Sequence, residues 1–249
     1  NLWIMNANER DIRSLAGIHY FTELRALNCY NNQLTALDVS KNTKLIGLSC
    51  GGNQLTSLDV SALPNLQSLS CSNNQLTELD VSALPDLEVL NVSMNQIAAL
   101  DVSNNTKLTQ FYCLLNQISE LNISNMPDLM WLSCSMNQLT ALDVSKNTKL
   151  VELLCGNNKI PELDVSSMLD LESLDCWANQ LTALDVSKNT KLTYLSCNNN
   201  QIPELDVSRM PNLESLYCSD NQLTALDVSS NTKLVRLRCS INQISELNV

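Results

Sequence analysis

All ten cysteines of this 249-residue chain fall on one lattice. Cys29, Cys50, Cys71, Cys113, Cys134, Cys155, Cys176, Cys197, Cys218 and Cys239 recur at every twenty-first position, and the one empty rung holds Val92. A fixed period of this length constrains the fold more than any other feature of the chain. Each period is one supersecondary unit that cannot bury its apolar face alone, so units stack into a continuous array. No linker or shift in composition interrupts the period, which predicts one array rather than separate globular domains.

The unit reads L-x-x-L-x-C-x-x-N-Q-L-T-x-L-D-V-S-x-x-x-x, as in Leu45, Leu48, Cys50, Asn53, Leu55, Leu58, Asp59, Val60 and Ser61. Residues 24–249 contain eleven units, the last of them shortened, and residues 1–23 are a degenerate copy (Leu2, Met5, Ala7, Ile12, Leu15) in which Arg10 replaces the repeat Asn. Period and motif are those of a leucine-rich repeat solenoid. Leu48 and Cys50 alternate with Ser49 at period two, so the first half of each unit is a strand, and stacked strands make a parallel sheet. The second half, L-T-x-L-D-V-S, also alternates and has no helical spacing. The expected fold is a right-handed, gently curved solenoid with the parallel sheet on its concave side and extended segments or short strands on its convex side.

Asn recurs at the ninth position of every unit, from Asn32 to Asn242. An amide carries donors and an acceptor, which suits it to satisfying backbone where the strand turns inward. The turn after Ser comes in a polar kind (Asn42-Thr43-Lys44, Asn105-Thr106-Lys107, Asn189-Thr190-Lys191) and an apolar kind (Leu63-Pro64, Leu84-Pro85, Met210-Pro211). From Leu84 onward the two kinds alternate, so a doubled period overlies the single one.

The repeat closely resembles the cysteine-ladder leucine-rich repeats of internalin J-like bacterial surface proteins, and those of secreted repeat proteins of gut Bacteroidetes and Firmicutes. The resemblance covers Leu24 to Val249, and Ile12, Leu15, Gly17 and Ile18 resemble an internalin-type first unit. It implies export, a place at the surface of a bacterium or outside it, and binding of host or neighbour-cell molecules through the concave face. The chain starts at Asn1 without Met and stops at Val249 in mid-repeat, so a piece of a longer protein is expected.

A ladder of thiols at strand spacing, about 4.8 Å, sits just outside the Cβ separation a disulfide needs. Zinc needs four converging ligands, and a ladder is linear. The cysteines are therefore expected to be buried small hydrophobes, and no metal or cofactor is expected. On the convex side Asp38, Asp59, Asp80, Asp101 and their successors form an acidic stripe that Lys41, Lys44 and their equivalents are expected to neutralise. The stripe lacks the glycine-rich loops of calcium-binding repeats.

The positions left free by the repeat lie on the exposed sheet face. In the first three units they are small or polar (Gly47, Ser49, Gly51, Gly52, Ser68, Ser70). From the fourth unit onward Met94, Tyr112, Leu114, Leu115, Trp131, Met136, Glu152, Leu154, Asp175, Trp177, Tyr194 and Tyr217 occupy them, with Arg236 and Arg238 at the C-terminal end. Contiguous exposed aromatic surface marks an interaction site, and these residues are the expected ligand-binding set.

With 15 basic and 26 acidic residues the net charge is −11, which argues against nucleic acid or an anionic membrane as partner. No segment approaches the roughly 18 apolar residues of a membrane span. There is one histidine, His19, and no nucleophile elbow, zinc-protease motif or phosphate-binding glycine loop, so no catalytic residue is assigned. The sequence thus predicts a monomeric surface or secreted binding and adhesion module for a protein or glycan. The alternative is the targeting arm of a larger enzyme whose catalytic domain lies elsewhere, and an intracellular effector is a third reading.

Overall fold

The structure, a computed structural model, describes residues 2–249; Asn1 of the degenerate first unit lies outside them. The chain forms two compact units that divide between Met126 and Pro127. In the first, strands β1 (Ile4–Asn6), β2 (Ala26–Asn28), β3 (Gly47–Ser49), β4 (Ser68–Ser70), β5 (Val89–Asn91) and β6 (Gln110–Tyr112) pair in parallel in chain order. In the second, β7 (Trp131–Ser133), β8 (Glu152–Leu154), β9 (Ser173–Asp175), β10 (Tyr194–Ser196), β11 (Ser215–Tyr217) and β13 (Arg236–Arg238) do the same. Register follows the repeat, so each residue faces its equivalent in the next unit, as Leu48 faces Leu69.

Each strand is short because the period-two alternation lasts only from one Leu to the Cys rung. The coil then bends at a residue in the left-handed region, with φ of 48–64° at Asn31, Gly52, Asn73, Met94, Leu115, Met136, Asn157, Ala178, Asn199, Asp220 and Ile241. On the return side the coils run extended and bond one to the next, as Gln54 N–H does to the Leu34 carbonyl (2.8 Å). Among the described residues, return strands form only as β12 (Ala225–Asp227) and β14 (Glu246–Asn248) of the second unit. The degenerate first copy contributes β1 and a 3-10 turn at Ile18–Tyr20, where exposed His19 stacks on Tyr20 at 4.2 Å.

The core is one filled layer per coil. Leu66, Leu69, Cys71, Leu76, Val81 and Leu84 are all fully buried, and Val92 is as buried as the cysteines it replaces. Nine cysteines are buried and Cys239 is half-buried. Burial pushes the thiols of Cys29, Cys71 and Cys218 up to about 12. Such thiols are inert hydrophobes, which is how the rung packs.

The ninth-position Asn closes each coil onto its predecessor. Asn53 donates to the carbonyls of Cys50 and Cys29 (3.0 Å each) and accepts from Leu34 N–H (2.9 Å). In the second unit Asn200 repeats this with Cys197, Cys176 and Leu181. A second Asn rung lies in the polar turns, whose Thr and Lys face solvent while the Asn turns inward: Asn42, Asn105, Asn147 and Asn189 are fully buried. Asn189 donates to the carbonyls of Val165 (2.9 Å) and Met168 (2.8 Å), one turn back. Leu63, Leu84, Met126, Met168 and Met210 fill the same slot in the apolar turns, so the doubled period alternates amide and hydrocarbon in one buried position.

The acidic stripe follows the expectation only in part: the charges of Lys41, Lys146 and Lys188 help to lower the Asp38, Asp143 and Asp185 carboxyls, but the lysine that ends each polar turn points elsewhere. Lys44, Lys107, Lys149 and Lys191 pair instead with Glu23, Asp86, Asp128 and Asp170, the acids at the equivalent place in the preceding turn, at 2.5–2.6 Å. The turn places Lys over that acid and away from the stripe. Each stripe aspartate accepts locally, as Asp38 does from Ser40 N–H (3.0 Å), and the Ser hydroxyl and amide hold the Asp38, Asp59 and Asp80 carboxyls below the usual range.

Candidate functional site

Strand register converts the linear order of outward residues into a two-dimensional map. Side chains at the first and third strand positions point outward, and the residue after the Cys rung continues that face. In the second unit, stepping one strand over and two positions along traces an oblique line across the sheet. One such diagonal is Trp131, Leu154 and Trp177, and another is Tyr194 and Tyr217. All five are half-buried against the sheet. They form two apolar ridges that cross the strands obliquely.

Trp177 is seated by a glycine. A Cβ on Gly156, its neighbour on the adjacent coil, would collide with the indole Cδ1 and Nε1, so the ring occupies the place a side chain would take. On the second ridge the Tyr194 and Tyr217 rings are 5.6 Å apart and tilted by 46°. The Arg238 guanidinium caps that ridge, 5.4 Å from the Tyr217 ring centroid. Arg236 is exposed beside it.

Between the ridges run two polar diagonals, Glu152–Asp175–Asn198 and Ser173–Ser196–Ser219. Asp175 is half-buried, and its carboxylate accepts from the Ser196 hydroxyl and, at 3.4 Å, from Trp177 N–H. Burial raises its pKa above the usual value, and those two hydrogen bonds offset only part of the rise. Burial, followed by the charge of Asp175, also raises the Tyr194 phenol.

Not every expected residue lies on a strand. Met136 of the second unit, and Met94 and Leu115 of the first, sit at the left-handed corner that ends the strand segment. Met94 and Leu115 are 48% and 40% exposed there. Tyr112 and Leu114 are half-buried on the outward face of the first unit, and the Tyr112 hydroxyl donates to Gln110 Oε1 at 3.1 Å.

The first unit also carries a feature that residue type alone does not flag. Small residues Ala26, Gly47 and Ser68 floor a trough of about 420 Å³ walled by Trp3, Ile4 and Val89, with Arg25 stacked 5.2 Å over the Trp3 ring. Its signal in the sequence is the contrast between small and large outward positions; Trp3 is hidden in the degenerate copy. Among the described residues no three His, Cys, Asp or Glu side chains converge to hold a metal ion. No helix among the described residues is long and apolar enough to cross a membrane.

Residues 43–86 and 64–105 match the family model "Leucine Rich repeats (2 copies)". No curated protein sequence gives a significant match. Among solved structures, the functional domain of InlJ from Listeria monocytogenes, which includes a cysteine ladder, is 40% identical with a TM-score of 0.97. That match covers 99% of this chain and 55% of the InlJ chain, so this chain spans about half the length of that relative. A leucine-rich repeat protein of Leptospira interrogans is 26% identical over 100% of this chain and 72% of its own, TM-score 0.87. The internalin InlF from Listeria monocytogenes is 25% identical over 99% of this chain and 86% of its own, TM-score 0.78. The shared architecture is the leucine-rich repeat solenoid. With its regular repeat, buried thiol rung and Asn ladder, the chain belongs to the leucine-rich repeat proteins of the cysteine-ladder type.

Proposed function

We propose that this chain is a surface-displayed or secreted bacterial adhesion module that grips a protein ligand with the strand face of its second unit. The observation that carries this reading is the pair of apolar ridges, Trp131–Leu154–Trp177 and Tyr194–Tyr217, standing on a parallel sheet. A soluble protein exposes contiguous aromatic surface at a cost, and Trp and Tyr are the residues that dominate binding hot spots. Gly156 supports the reading further, because it seats the Trp177 indole before any ligand arrives and so lowers the ordering cost of binding.

The test is binding of the labelled chain to arrays of purified host-surface proteins and of glycans. The double variant Trp131→Ala, Trp177→Ala should keep its thermal unfolding midpoint and lose at least about 2 kcal/mol of affinity, roughly thirtyfold, for the protein hit. A hit on the glycan array alone moves the ligand class to carbohydrate. Undiminished affinity of the double variant for a confirmed ligand removes this face from consideration.

A further inference from the structure

The furrow between the two ridges is chemically unlike the ridges. Its floor and sides are Glu152, Asp175 and Asn198 on one diagonal and Ser173, Ser196 and Ser219 on the next. Apolar rings thus flank a carboxylate that is half-buried and takes part in no ion pair among the described residues; the four pairs present all lie in the turns. The hydroxyl of Ser196, a residue only 3% exposed, and one backbone N–H are the donors the Asp175 carboxylate has. A half-buried charge compensated this incompletely carries a desolvation cost that a cation would offset.

The same face shows what a cation does beside these rings. Arg238, two strands beyond Ser196, lays its guanidinium over the Tyr217 ring at 5.4 Å, on the outer flank of the tyrosine ridge. The inner flank of that ridge faces the furrow, and there Tyr194 stands within the field of Asp175. A cation in the furrow would meet a ring face on one side and a carboxylate beneath it, and both interactions are stronger where water is partly excluded. Lys and Arg also carry aliphatic stems that can lie along the apolar ridges while the charged head goes down to the acid. The net charge of −11 draws a basic partner over longer range.

We infer that the furrow between the Trp131–Leu154–Trp177 and Tyr194–Tyr217 ridges seats a lysine or arginine side chain of the protein ligand, with Asp175 as its counter-ion and Glu152 as a second acid at the furrow's mouth. The inference deepens the proposed binding role of this face and rests on it.

A random heptapeptide library displayed on phage, selected on the immobilised chain, tests it. The selected peptides should carry a Lys or Arg whose replacement by Ala weakens binding at least about tenfold. Asp175→Asn, which keeps the shape and removes the charge, should weaken the same peptides by a similar factor, whereas Asp80→Asn on the return side of the first unit should not. Binding to the unaltered chain should also weaken as pH falls through the raised pKa of Asp175, and that dependence should flatten in Asp175→Asn. Peptides that need Trp131 and Trp177 but carry no essential basic residue would overturn the cation seat while leaving the binding face intact. So would basic peptides indifferent to Asp175→Asn and to pH. If no selected peptide depends on Trp131 and Trp177, the binding face and the cation seat fall together.

Discussion

Left-handed backbone costs a residue with a Cβ about 1–2 kcal/mol, and Asn and Gly bear that conformation best. The corner of each coil shows this preference at Asn31, Gly52, Asn73, Asn157 and Asn199. Met94 adopts φ 58° with nearly half its side chain in water, so little packing offsets its strain. Met94→Asn should therefore raise stability by about 1 kcal/mol, read as a higher thermal or urea midpoint. A lower midpoint would mean that the thioether's contacts outweigh the backbone cost. Strain retained without visible structural return points to function, and Leu115 and Ile241 share the pattern at φ 55° and 53°. Met94, Leu115 and Met136 are read as strand-face residues because the repeat leaves their position free, although strict alternation from the Cys rung would turn them inward. The strand ends before them, and nothing in a Met or Leu announces a positive φ.

At the scale of strand and coil, most of the fold is legible in the sequence and the arrangement of the site only partly so. Cys50 inward forces Ser49 and Gly51 outward, and the Asn ladder is satisfied as its chemistry requires. The two ridges are harder to see because each step along them overshoots the repeat by two positions, and only the observed register turns that offset into neighbours. The partners of the turn lysines escape the sequence for a related reason: adjacency in a stacked coil lies one full repeat away, and Asp86 is therefore closer to Lys107 than the stripe is. Gly156 is the clearest case of a residue whose role only the third dimension reveals. Gly156→Ala should leave stability within about 1 kcal/mol, because the three atoms it meets all belong to one indole that can swing outward. The indole should then become more exposed, so that in a background with Trp3→Phe and Trp131→Phe the emission of Trp177 shifts to the red. Unchanged emission would mean that the ring does not rest in the glycine's place.

For the molecule as a whole, the thiol rung that sets the period also sets a pH limit. Burial raises the thiols of Cys29, Cys50, Cys71 and Cys113 in the first unit and of Cys155, Cys176, Cys197 and Cys218 in the second. A raised folded-state pKa means that the folded chain holds its proton where the unfolded chain has lost it. The stabilisation is complete below the ordinary thiol value of 9.0 and is lost as pH rises from there toward about 12. Within that window each thiol contributes a slope of about 1.4 kcal/mol per pH unit, so four in one unit remove roughly 5 kcal/mol per pH unit. Against a typical stability of about 5–15 kcal/mol, either unit should unfold within two or three pH units above 9. Circular dichroism followed from pH 7 to 12 under reducing conditions should show a steep alkaline transition. Lysines and tyrosines also titrate in that range, and Val92 supplies the control, since an apolar side chain already fills one rung with no exposure. Cys71→Val removes one ionisation without emptying the slot and should shift the transition to higher pH. If the transition stays in place, the alkaline loss belongs to the lysine pairs or the phenols, and the cysteines serve only to fill space.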